Sequence, residues 1–370
     1  MTRRDWLASA LALFPSACAR AKRTGYSGYA LIATSGEDSL AVVDLTTFRL
    51  IKDIRLGAAP TAVIAGASGE SYALTPSSDS VHVMDRNLSL TSTHRLGEGI
   101  VEIRLSPDGS TLIASARRSR ELIQADTATF KLIRRTKLEA EPVSFDVSQT
   151  GYAAVSSGDD GTVELVQLAN GQHNRIAVGG LVGGVRFRGD GQILLVARPE
   201  ERTILGIDVA TRQVVAELPV AMEPDHLCFT YDQGQLFVTG QGMDGVAIIF
   251  PYNTMEVEQT ILAGRRPGVM AASGPDPAYL FVASANGSDV SILNVETRKL
   301  IGIVDVGGQT EFIAITPDDR FALLLNQTSG AMAVIHIPTI RTTRAKNGAS
   351  LFTLVDVGAK PVHAAIVARV

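Results

Sequence analysis

Residues 280–308 read "LFVASANGSDVSILNVETRKLIGIVDVGG", alternating apolar and polar positions and closing on two glycines. Runs of β-branched and other apolar residues, bounded by Gly, Asn, Asp and Ser, mark strands, and three fit here. The pattern returns at 29–57 ("YALIATSGEDSLAVVDLTTFRLIKDIRLG"), 112–138 ("LIASARRSRELIQADTATFKLIRRTKL"), 193–220 ("ILLVARPEERTILGIDVATRQVVAELPV") and 236–262 ("LFVTGQGMDGVAIIFPYNTMEVEQTIL"). Between copies lies a fourth strand ending in a turn signal, as in "VEIRLSPDGS" at 101–110, "VRFRGDGQ" at 185–192 and "EFIAITPDDR" at 311–320. Pro-Asp-Gly and its variants supply the tight reversal. No stretch after residue 30 keeps a helical period over three turns.

The residue ending the third strand of each unit is Asp44, Asp85, Asp126, Gln167, Asp208, Pro251, Asn294 and His336, at spacings of 41, 41, 41, 41, 43, 43 and 42. A four-stranded unit at this period is the signature of a β-propeller blade. One blade cannot cover both of its faces, so neighbours must stack into a ring. The first triplet, 29–57, has no inner strand before it, while "VHAAIVARV" at 362–370 is an inner strand with nothing after it. Pairing these termini completes a blade and removes the open edges. The expected fold is all-β, a single propeller over residues 25–370, with eight blades.

Composition agrees with a well-cored protein rich in turns: 370 residues, 45% hydrophobic, 34 glycines and a net charge of −4. A pI near 5.9 with scattered Lys and Arg excludes the basic patch that nucleic acid requires. The N-terminus, "MTRRDWLASALALFPSACARAKR", sets two arginines before the apolar run Trp6 to Phe14, the form of an export leader over residues 1–24. Its apolar run is too short to span a bilayer. Only two cysteines occur, Cys18 and Cys228, so loss or lipidation of Cys18 leaves no intrachain disulfide and the core must hold the fold.

Three resemblances sharpen this. The unit "LFVASANGSDVSILNVETRKLIGIVDVGGQTEFIAITPDDRF" resembles the YVTN-type propeller repeat, a bacterial family of exported propellers, over roughly residues 29–370. Seven blades are common in that family, which makes seven the alternative count. Eight-bladed relatives include the haem-d1 domain of a nitrite reductase, and seven-bladed neighbours include amine dehydrogenases and lactonases, whose catalytic motifs this chain does not match. "TRRDWL" resembles the twin-arginine export consensus, and Pro15-Ser16-Ala17-Cys18 resembles a lipobox, with Pro15 where leucine is usual. Export to the periplasm or cell envelope is implied, with Cys18 as the candidate lipidation site and a lipid anchor as the membrane contact.

Chemical motifs are sparse. Gly240-Gln241-Gly242-Met243-Asp244-Gly245 satisfies G-x-G-x-x-G, but it lies between strands rather than opening a helix, and reads as a turn. "SGDDG" at 157–161 lacks the ligand spacing of a calcium loop. No G-x-S-x-G, H-E-x-x-H or C-x-x-C occurs, and no tryptophan follows Trp6, which weighs against WD-repeat and tryptophan-docked propellers. The remaining place for a site is the central channel and its end loops.

Aligning the eight inner strands puts Ala62, Glu102, Ser144, Gly184, His226, Val269, Phe312 and His363 in a first ring at the entry end. Two residues deeper come Ile64, Arg104, Asp146, Arg186, Cys228, Ala271, Ala314 and Ala365. The residues between them, among them Val63, Ile103, Phe145, Val185, Leu227 and Ile313, should pack between blades. Polarity gathers on one arc: Glu102, Arg104, Asp146, Arg186, His226, Cys228 and His363 are the candidate ligand-binding lining. Asp146 is expected between Arg104 and Arg186, as an anion site or a self-satisfied ion network. His226 and His363, with Glu102 and Cys228 nearby, form a weak metal or haem-iron candidate, and Cys228 beside His226 a candidate nucleophile. His82, His94, His173 and His336 are expected at surface or edge positions. "RTTRAKNGAS" at 341–350 is a basic extension expected on the face opposite the histidines.

The resulting expectation leans to a non-catalytic, monomeric binding or scaffold protein. Its partner would be a protein, peptide or small ligand at a loop face or the channel mouth, with no cofactor named. The alternative is a channel-mouth enzyme or cofactor carrier, binding haem or metal or acting as a lactonase-like hydrolase.

Overall fold

The computed structural model describes residues 25–369 apart from 253–255, 277 and 344–345. The expected leader, including Cys18, lies outside the described residues. The described chain forms eight four-stranded antiparallel sheets and one two-stranded hairpin, and at every junction an inner strand contacts the neighbouring blade, so the blades close into a ring. Eight blades are therefore present, and no α-helix occurs among the described residues; only two 3₁₀ turns, Pro76–Ser78 and Ile337–Thr339, interrupt the strands.

Blade 1 joins the two ends of the chain. Gly28–Thr34 pairs with Ser39–Asp44 on one side and with Pro361–Ala368, the last strand, on the other, with Gly28 opposite Ala368 and Thr34 opposite Pro361. The inner strands of blades 2 to 8 are Ala62–Ala65, Ile100–Leu105, Ser144–Val147, Val185–Phe187, Glu223–Phe229, Pro267–Ala272 and Thr310–Ile315.

The core is distributed around the ring. Eight clusters of buried apolar residues occur, and each draws its members from two adjacent blades. Strands buried on both faces read as continuous apolar runs, as in Ile193–Ala197 and Phe321–Leu325. Fully buried Phe145, Phe237, Phe281 and Phe321 each contribute about 1.5–3 kcal/mol through area removed from water. Val63, Ile103, Phe145, Val185 and Ile313 are buried as alternation predicts, and Leu227 packs against the seam of blades 5 and 6.

The repeat residues have local tasks. Asp126 and Asp208 accept hydrogen bonds from the backbone N–H three residues on, at 2.8 and 2.7 Å, and Asp44 from Thr46 at 2.7 Å, closing the turn into the outer strand. In the Ser/Thr-x-Asp turns, Thr316 accepts from the Phe321 N–H at 3.0 Å and donates to Asp318 at 2.7 Å. Thr230 and Asp232 repeat this at 2.6 Å, and Ser106 and Asp108 at 2.5 Å. Hydrogen bonds from Ser106 and from the hydroxyl and backbone N–H of Ser110 hold the Asp108 carboxyl down to about 2.

One expectation needs adjustment, and one is met. His82 is neither a surface nor an edge residue: it is buried on the third strand of blade 2, between Thr75 Oγ1 at 2.9 Å and Thr93 Oγ1 at 3.0 Å. Burial lowers its pKa. The long connection in blade 8 contains a hairpin, Arg341–Thr343 with Lys346–Gly348, between the blade's third and fourth strands, which places it on the face opposite the inner-strand entry.

Candidate functional site

Inner strands enter the channel through a recurring irregularity. In blades 3, 6, 8 and 1 one residue drops out of the pairing: Glu102 faces Ser115 while Ile100 faces Ala116, leaving Val101 unpaired, and likewise Asp225, Glu311 and Val362. Such a bulge bends the strand and re-aims the side chains around it. Strict alternation would turn Asp225 and Glu311 toward the blade seams. The bulge brings both instead to the rim of the channel.

The channel mouth holds a cavity of about 260 Å³ walled by blades 4 to 8. Of the candidate residues, Arg186, His226 and Cys228 line it, together with Ser144, Gly184, Val269 and Phe312 from the same rings. Met270, Asp225 and Glu311 also line it, and Val185, Leu227 and Ile313 reach it from the blade seams. A second cavity of about 540 Å³ lies between blades 6 and 7 and shares Asp225 and His226 with the first.

Glu102, Arg104 and Asp146 do not line these cavities; they form a network that staples three blades. Arg104 Nη2 donates to Glu102 Oε1 at 2.8 Å and its Nε to the Phe145 carbonyl at 2.9 Å, while Asp146 Oδ1 lies 3.8 Å from Nη1. The Phe145 N–H donates to Glu102 at 3.3 Å and the Phe187 N–H to Asp146 at 2.9 Å. Each carboxylate thus satisfies a backbone donor of the following blade.

Arg186 stands apart. Its Nη1 donates to the Val185 carbonyl at 3.1 Å, and no carboxylate lies within ion-pairing distance of it among the described residues, so the expected bridging by Asp146 is not formed. Burial lowers its pKa, nearby Arg104 lowers it further, and Asp146 and Glu102 oppose this. An arginine keeps its charge in a protein, so the cavity wall carries a cation with most of its donors unused.

The two histidines have different partners. His226 Nε2 lies 3.4 Å from Asp225 Oδ2. His363 packs its ring 4.2 Å from that of Phe312, and its Nδ1 is buried without a hydrogen-bond partner. Burial pushes its pKa down to about 4, against a raising interaction with the Val63 backbone, and Arg104 lowers it further. Among the described residues no three His, Cys, Asp or Glu side chains gather as a metal ion requires. Burial pushes the Cys228 thiol up to about 11, so it is protonated at neutral pH and suits neither ligation nor nucleophilic attack. The residues present do not fit a resident metal.

The G-x-G-x-x-G segment is a strand end and turn, as its context implies. A Cβ at Gly240 would lie 1.7 Å from the Glu223 carbonyl oxygen, and Gly242 has a φ of +91°. The same turn lines the cavity between blades 6 and 7. Asp225 and Glu311 are the lining residues that alternation missed. The available signal was a carboxylate at a position that other blades fill with Val101, Val143 or Val362.

No family model matches this chain. A seven-bladed beta-propeller protein of Mycobacterium tuberculosis is 26% identical over 137 residues, which cover 35% of this chain and 33% of that protein. The match therefore spans about a third of that relative's length. Among solved structures, the dihydro-heme d1 dehydrogenase NirN in complex with DHE superposes with a TM-score of 0.77 at 16% identity, over 91% of this chain and 75% of that one. Hydrazine synthase of Kuenenia stuttgartiensis gives 0.58 at 16% identity, over 72% and 89%. At these identities both likenesses establish the β-propeller fold alone.

Proposed function

We propose that this propeller, of the YVTN-type repeat, is an exported binding protein of the periplasm or cell envelope that receives a small ligand or peptide in its channel mouth. Arg186 carries the proposal: it is a cation in a cavity wall without an ion-pair partner among the described residues. Structural ion pairs elsewhere in the channel are closed on themselves, as Glu102 and Arg104 show. A site built only for stability would have closed this one too, because an unpaired half-buried charge costs free energy.

Gly184 supplies the test. A Cβ there meets nothing nearer than the Asp225 carbonyl oxygen at 3.7 Å, so a larger side chain enters the mouth without disturbing the backbone. A ligand-observed NMR screen of small amphipathic compounds would find binders to the wild type that Gly184→Trp no longer binds. Binders that persist in Gly184→Trp, or none in the wild type, refute a ligand site at the mouth.

A second reading, a propeller that carries a cofactor in its channel, draws on the structural likeness to a dehydrogenase solved with DHE. In it His226, which belongs to both cavities, would be the contacting imidazole. A visible absorption band in the protein purified without refolding, lost in His226→Ala, would support it over the first.

A further inference from the structure

The charges around the channel-mouth cavity have a direction. Arg186 stands at the second ring, the deeper of the two, and Asp225 and Glu311 stand at the bulges that precede the first. Between two and three residue steps along a strand separate these levels, because the bulge compresses one step, about 7–10 Å of depth at ~3.3 Å per residue, less whatever the arginine side chain reaches back. Between them the wall is mixed: Val269, Met270 and Phe312 are apolar, and Ser144 and His226 are polar. Asp225 pairs only loosely with His226, at 3.4 Å, and Glu311 accepts from Gln309 Nε2 at 2.7 Å through one of its two oxygens. The rim keeps free acceptor capacity and the base keeps free donors.

A simple anion would pass two carboxylates to reach Arg186, and a simple cation would end against a guanidinium. A molecule with an ammonium at one end, a carboxylate at the other and apolar side chains on a hydrogen-bonding backbone between satisfies both charged levels and the mixed wall. Length and size narrow the class. Extended chain spans at most about 3.3–3.6 Å per residue, so a dipeptide reaches ~7 Å and a tripeptide ~10 Å. The cavity, about 260 Å³, lies below the roughly 300–1,000 Å³ of pockets for drug-sized ligands.

On this basis, and resting on the channel-mouth reading above, we infer that the ligand is a short free peptide of two or three apolar residues. Its C-terminal carboxylate sits on Arg186 and its ammonium group on the Asp225 and Glu311 rim. Guanidinium and carboxylate pair through two parallel N–H···O bonds, which gives the base of the cavity its selectivity.

Calorimetric titration with Leu-Leu, its N-acetyl form and its C-terminal amide tests this. Leu-Leu should bind tightest. Amidation should weaken binding about tenfold or more, because it removes a charge-assisted pair in a partly buried place. Acetylation should weaken it about threefold, because the rim is solvated. Arg186→Gln should abolish the preference for carboxylate over amide, and Asp225→Asn with Glu311→Gln the preference for the free amine, with circular dichroism reporting that each variant is folded. An amide or acetyl form that binds as tightly as Leu-Leu, or no binding by any of the three at millimolar concentration, overturns the peptide assignment. The channel-mouth site itself stands or falls separately, on the Gly184→Trp comparison.

Discussion

His363 should make stability depend on pH across a defined window. Its imidazole lies against Phe312, its Nδ1 is buried without an acceptor, and burial moves its pKa from 6.5 to about 4. Above pH 6.5 the ring is neutral in both the folded and unfolded chains and contributes no pH dependence. Below 6.5 the unfolded chain takes up a proton that the folded protein refuses until about pH 4. Folded stability therefore falls as pH drops through this interval, by about 2–3 kcal/mol in all. Urea denaturation followed by circular dichroism at pH 7.5, 6.5, 5.5 and 4.5 would measure the loss for wild type and for His363→Gln. Glutamine fills similar space and does not titrate, so the difference between the two proteins should shrink by about 2–3 kcal/mol between pH 7.5 and 4.5. His82 and His336, which burial also lowers, cancel in the comparison. A constant difference at all four pH values, or an NMR titration placing His363 near 6.5, would refute the reasoning.

Deleting residues 361–370 removes the inner strand of blade 1 and bares the Gly28–Thr34 edge. Size-exclusion chromatography should show aggregates in place of the wild-type peak, and an unchanged melting temperature would contradict closure as the source of stability. Thr316→Val leaves the buried Phe321 N–H without its acceptor and should cost about 1–3 kcal/mol in denaturant unfolding, whereas Thr316→Ser keeps the hydroxyl and should cost less. For Cys228, the rise of its pKa from 9.0 to about 11 should slow alkylation at pH 8 about 100-fold relative to the unfolded chain. Mass-spectrometric quantification of the Cys228 peptide reads this directly, and equal rates would show the thiol to be accessible and ionisable.

The architecture was legible from residues 280–308 because a blade is a local object. Its strand alternation, its Asx turn at Asn294 and its glycines at 307 and 308 all lie within one repeat, and the near-constant spacing of the copies supplied the ring. Which inner-strand residues face inward was also largely legible, since alternate positions of a strand share a face. The site was less so. Glu102, Arg104 and Asp146 look like ligand-binding groups in the sequence, but their partners are backbone groups of the next blade, about forty residues away in each case. Arg186 looks like their equal and has no carboxylate within ion-pairing distance among the described residues. Cys228 and His363 carry reactive side chains, and burial holds both in their neutral forms at pH 7.

Asp225 and Glu311 mark the boundary between the two kinds of information. The sequence determined the blade, its count and its closure, because each follows from contacts within a repeat or from a period between repeats. Only the tertiary structure decided which charges are spent on holding blades together and which stay open to the channel. A single unpaired residue at the entry of an inner strand breaks the alternation from which facing is read. The partner that neutralises a side chain belongs to a neighbouring blade, whose distance in space the chain order does not record.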